Sequence, residues 1–107
     1  MAVTTRTVPN TEATLAVVRH VFPQEMRGLV SEVLAAECGA NLPLCETCTG
    51  EQLDRVRFAV LKLSGGDLAR LRWAVHDAQR DWRDVLIAAG FGTSLEAHRQ
   101  WADSLKT

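Results

Sequence analysis

No apolar run in the sequence approaches the roughly 20 residues that a membrane-spanning helix requires, so insertion into a membrane is not expected. The opening MAVTTRTVPN is polar, carries one Arg and lacks an apolar core, which does not read as a secretory signal. Three cysteines is an odd count and a poor fit to a disulfide-stapled secreted module, so a cytoplasmic protein with reduced thiols is expected. An excess of either charge is lacking as well. Twelve Lys and Arg stand against thirteen Asp and Glu, which argues against wholesale binding to DNA or an anionic membrane and leaves room only for a local basic patch.

Catalytic signatures are equally scarce. His20, His76 and His98 fall on three different expected helices, with no H-x-x-x-H or H-E-x-x-H pairing. Asp77 adjoins His76 in sequence, but neighbours on a helix point about 100° apart. Ser64-Gly65-Gly66 lacks the strand and the Lys of a phosphate loop. Carboxylates pair only along the surface of one helix. No enzyme activity is expected, and no cofactor is called for except zinc at the cysteines.

What the chain has is 47% hydrophobic residues in a length of 107, enough to bury one core. Small domains bury a smaller share of their surface than large ones, which makes a homodimer a natural way to cover the remainder. No internal repeat or low-complexity tract divides it. A flexible arm is expected over residues 1–9 and a single helical domain over 10–107.

The pattern predicts an all-α fold, a compact bundle of about five helices over 11–22, 24–38, 50–64, 67–89 and 94–105. The first follows Asn10 as N-cap, with Leu15, Val18 and Phe22 in one stripe and Val17 with Val21 beside it. The second starts at Pro23, buries Met26, Leu29, Val30, Val33 and Leu34, and ends at Gly39 as a left-handed cap. Gly28 within it suggests a close crossing. The third follows the capping box Thr49-Gly50-Glu51-Gln52 and carries Leu53, Val56, Val60 and Leu63. Residues 55–64 also admit a strand, since Val56, Phe58 and Val60 alternate with Arg57 and Ala59 ahead of Gly65-Gly66. The capping box favours helix. The fourth, from Asp67 to Ala89, is the longest uninterrupted pattern, with Leu71, Val75, Ala78, Trp82, Val85, Leu86 and Ala89 on its apolar face. A second capping box, Thr93-Ser94-Leu95-Glu96, opens the fifth, whose apolar side holds Leu95, His98, Trp101, Ala102 and Leu105.

Residues 55–101 resemble a group of small uncharacterised bacterial helical proteins. The shared features are RVRFAVLKLSGGDL at Arg55 to Leu68, L-x-x-A-V at Leu71 to Val75, DWRD at Asp81 to Asp84, AAGF at Ala88 to Phe91, and H-x-x-W at His98 to Trp101. The resemblance implies bacterial origin and a helical fold. That group has no established activity, so it brings no catalytic residues.

Two constellations remain. Cys45-Glu46-Thr47-Cys48 is a C-x-x-C knuckle able to hold zinc, with Cys38 as a third ligand and a histidine or a second subunit supplying the fourth. A thiol-redox reading would place the pair near a helix N-terminus. A second C-x-x-C or a C-x-x-H is missing, and small semi-buried residues that pack a loop are the favoured reading of the pair.

On the fourth helix, Arg72, His76, Arg80 and Arg83 share one arc beside the apolar face, with Asp77, Asp81 and Asp84 on the opposite flank. Local ion pairs such as Asp77 with Arg80 would make this a solvated surface. The alternative is a docking surface, on which Trp73 bears, because a large ring off the apolar arc is either an interface anchor or a ring covered by the first helix or the N-terminal arm. The Leu63-Ser64-Gly65-Gly66-Asp67 turn hints at helix-turn-helix, but Leu68-Ala69-Arg70-Leu71 lacks the polar readers that a major groove demands, so nucleic acid is not the expected partner. The expected function is protein-protein interaction through Trp73, Arg72, His76, Arg80 and Arg83. A zinc or thiol-redox module at Cys38, Cys45 and Cys48 is the alternative, and a helix-turn-helix nucleic-acid binder the second alternative.

Overall fold

The computed structural model describes residues 7–39, 42 and 50–106. Five helices and no strand occur among them: α1 (Glu12–Val21), α2 (Gln24–Glu37), α3 (Gly50–Ser64), α4 (Leu68–Ala88) and α5 (Ala97–Ser104). The radius of gyration is 12.8 Å, close to the ~13 Å expected of a compact domain of this length. The all-α bundle is as the periodicity predicts, and the 55–64 stretch is helix throughout.

The chain is organised around α3 rather than around the longer α4. α3 packs along α4 and also meets α1 and α5. Eight of its side chains are buried: Leu53, Val56, Arg57, Phe58, Ala59, Val60, Leu61 and Ser64. Its polar residues tie down the ends of other helices. Lys62 Nζ donates to the Ala89 carbonyl at 2.8 Å and lies 5.1 Å over the Phe91 ring. Arg55 Nη2 donates to the Phe91 carbonyl, and to that of Ser94 at 3.3 Å. The last carbonyls of a helix lack intrahelical donors and carry the negative end of its dipole, so a cation is the favoured partner there.

Arg57 does the same at the end of α2 from a fully buried position, with 0% exposure. Its Nε donates to the Cys38 carbonyl at 2.9 Å and its Nη2 to that of Leu34 at 3.2 Å. The fork also reaches the segment before α1, with Nη2 on the Val8 carbonyl at 2.7 Å and Nη1 on that of Pro9 at 3.1 Å. Of the expected N-terminal arm, residues 7–9 are described. They are held there by Arg57 and by Val8 N–H donating to Ala35 at 2.9 Å.

Several local expectations are corrected. Thr11, not Asn10, caps α1, its hydroxyl accepting from Thr14 N–H at 3.2 Å, while Asn10 Nδ2 donates to the Ser31 carbonyl. Gly39 is not left-handed. It is buried with Val8 Cγ2 and Arg57 Nη2 at 3.0 and 3.2 Å from where a Cβ would stand, so close approach rather than φ selects glycine there. Gly28 has open space around it instead of a crossing helix. Leu29 is 41% exposed and Leu95 74%, so neither belongs to a buried face. α5 begins at Ala97 rather than Ser94, because the Ser94 hydroxyl accepts from Glu96 N–H and closes a turn instead of capping a helix.

The largest correction concerns α4. Asp81, at φ −156° and ψ 98°, breaks its helical path, and the Asp81 carboxylate accepts from Arg83 N–H at 3.1 Å. That is the geometry of an N-cap, so α4 is two segments with Asp81 starting the second. Its far end is a Schellman turn. Phe91 N–H returns to Leu86 and Gly90 N–H to Ile87, with Gly90 at φ +82° where only glycine is unstrained. Phe91 thereby folds onto the core, 1% exposed.

Candidate functional site

Two surfaces combine chemistry-bearing residues. The first is the outward face of α4 before the break. Leu71, Ala74, Val75 and Ala78 point inward, as their three- and four-residue spacing requires. Gln79 Nε2 donates to the Glu37 carbonyl at 2.7 Å and fixes the flank against α2. The opposite side therefore faces solvent and presents Ala69, Arg72, Trp73, His76 and Arg80, all exposed. Trp73 is 70% exposed at the middle of this face. Residues 7–11 do not cover it.

The ion pairs that would make this an ordinary solvated surface are not formed. Among the described residues the pairs are Arg83 with Asp81 at 3.4 Å, Arg99 with Glu51, and Lys106 with Asp103 at 3.5 Å. Arg72, His76 and Arg80 join none of them. Arg83 is separated from the other three by the break at Asp81 and is bound to that residue, so the expected arc of four basic residues is an arc of three.

The second surface is a cleft of about 620 Å³ between α1, α3 and α5, lined by Ala13, Ala16, Val17, Phe58 and Ala102 among other residues. Asp54, half-buried on α3, faces it. The Thr11 and Thr14 hydroxyls both donate to Asp54 Oδ1, at 2.6 and 2.7 Å, which joins the start of α1 to α3. His98 lines the cleft from α5 at 2% exposure, its ring edge-on to Phe58 at 5.4 Å and near Phe91 at 6.3 Å. Among the described residues its Nδ1 has no hydrogen-bond partner. Burial is the main cause lowering the His98 pKa from 6.5, and the positive charge of Arg55 adds to it. Asp54 and the Leu95 backbone pull weakly the other way.

The structure keeps His76 apart from the other two histidines. His76 is exposed on α4, whereas His20 and His98 both line the cleft. Cys38 is buried at the end of α2. Cys45 and Cys48 lie outside the described residues. Among the described residues no group of three or more His, Cys, Asp or Glu is arranged to hold a metal ion. No described helix is long and apolar enough to cross a membrane.

Sequence reasoning missed Arg57, Asp54 and the Thr11–Thr14 pair. Their partners lie 19 to 49 residues away, beyond the reach of any local pattern. No known protein family, curated protein or solved structure matches the chain, so its function is argued from its own residues.

Proposed function

We propose that the protein is a bacterial, cytoplasmic protein-protein interaction module that acts through the outward face of α4 and pairs there with a second copy of itself. The observation that carries this reading is Trp73, exposed at 70% amid three basic side chains that have no carboxylate partner among the described residues. A ring left in water is a standing cost that a partner removes, and Trp and Arg are the residue types that anchor interfaces.

Charge supports a second copy as the partner. Asp77 lies on one side of Trp73, with Arg72, His76 and Arg80 extending around the other. Two α4 helices paired in parallel about a two-fold axis set the basic flank of each against the acidic flank of the other.

Light scattering over a concentration series tests the reading. Wild type is expected to give a dimer mass, and Trp73→Ala a monomer with an unchanged circular dichroism spectrum. A wild-type monomer at every concentration would remove the self-pairing, and a dimer unaffected by Trp73→Ala would remove the face.

A further inference from the structure

We propose that the cleft between α1, α3 and α5 binds a small protonated amine carrying an apolar group, with Asp54 as its counter-ion. This site is separate from the α4 face and does not depend on it. The volume, about 620 Å³, lies within the range of small-molecule pockets. The walls explain the apolar part. α1 contributes Ala13, Ala16 and Val17 and α5 contributes Ala102, and these small side chains leave an apolar slot in which Phe58 is nearly buried, at 4% exposure.

Charge bookkeeping explains the amine. The cleft is lined by Glu51, Asp54 and Asp103 and by the cations Arg99 and Lys106. Arg99 is paired with Glu51 and Lys106 with Asp103. Among the described residues Asp54 is the lining carboxylate in no ion pair, and two threonine hydroxyls hold its Oδ1 in a fixed orientation. Arg55, its neighbour in sequence, is engaged with the Phe91 and Ser94 carbonyls. His98 does not fill the role of counter-charge either, since burial and Arg55 favour its neutral ring. His20 stands exposed at the rim. A fixed carboxylate beside an apolar slot selects a cation with an apolar body and rejects an anion of the same shape.

Titration of isotope-labelled full-length protein with benzylamine, benzyl alcohol and benzoate, followed by amide chemical shifts at neutral pH, tests this. Benzylamine is expected to give saturable shifts confined to residues of α1, α3 and α5. Benzyl alcohol should bind about tenfold or more weakly, since it lacks the charge that Asp54 pairs with, and benzoate should not bind. Asp54→Asn keeps an oxygen for the threonine hydroxyls and removes the charge, so it should weaken benzylamine about tenfold. Ala16→Leu fills the slot without touching Asp54 and should abolish binding in a folded protein. Equal responses to all three probes, shifts outside the cleft, no saturable response to benzylamine, or wild-type affinity in Ala16→Leu would each overturn the proposal.

Discussion

Arg57 and Arg80 are the same side chain on helices that pack against each other, and they have opposite fates. Arg57 is wholly buried on α3 and gives its donors to the carbonyls of Val8, Pro9, Leu34 and Cys38. Arg80 stands exposed on α4 in no ion pair among the described residues. The difference follows from what each can reach. Four carbonyls from the segment before α1 and the end of α2 converge on Arg57, and a planar guanidinium reaches them with donors spread over three nitrogens, whereas an ammonium carries its three donors on one atom. Arg80 meets water. The charge of Arg57 joins chain segments inside the molecule, and the charge of Arg80 stays on its surface.

The comparison is broken most severely by removing the buried member. Arg57→Met should destabilise the fold by about 3 kcal/mol or more in denaturant unfolding, because it orphans several buried carbonyls together. Arg57→Lys should recover only part of that loss, since one ammonium cannot span the same acceptors. A substitution that cost less than about 1 kcal/mol would mean that water replaces the guanidinium and that the joint is not structural.

A smaller loss is expected at the break in α4. Asp81→Ala removes the cap of the second segment and should cost about 1 kcal/mol, read as a lowered denaturation midpoint with an unchanged slope. A further effect is that of acid on His98. Its folded pKa lies below 6.5, so the unfolded chain binds the proton more readily. The stabilisation is present above pH 6.5 and is lost as pH falls through 6.5 toward the folded value. His98→Phe, which keeps the packing on Phe58 and Phe91, should flatten that part of the stability profile. An unaltered slope in the variant would assign the acid sensitivity to other groups. Smallest of all, Trp73→Ala should change monomer stability by less than about 0.5 kcal/mol, as befits an exposed side chain.

These contrasts also show how far the residues alone could be read. The helices were legible because turn chemistry and three-to-four spacing are local. Pro23 opens α2, Asp67 caps α4 through Arg70 N–H at 3.0 Å, and Gly90 closes α4. Asp81 was not, since no Pro or Gly marks the break and the apolar stripe runs past it unbroken from Ala78 to Trp82 and Val85. The Thr93–Glu96 box was legible and misleading, because the Glu96 N–H that the Thr93 hydroxyl would cap is taken by the neighbouring Ser94 hydroxyl, which closes a turn instead. Arg57 was illegible for a different reason. Its partners are backbone carbonyls, which belong to every residue and leave no signature in a sequence. Trp73 and the bases around it were recoverable from angles alone, because exposure on one helix is a local property. The cleft was not, because it needs α1, α3 and α5 together.

The central claim is that the exposed tryptophan face of α4 holds two copies together. Multi-angle light scattering of wild type and Trp73→Ala, each at matched concentrations and with its unfolding curve recorded alongside, tests it most directly. The account predicts a dimer for wild type and a monomer of near-equal intrinsic stability for the variant. The same mass for both proteins at every concentration would contradict it.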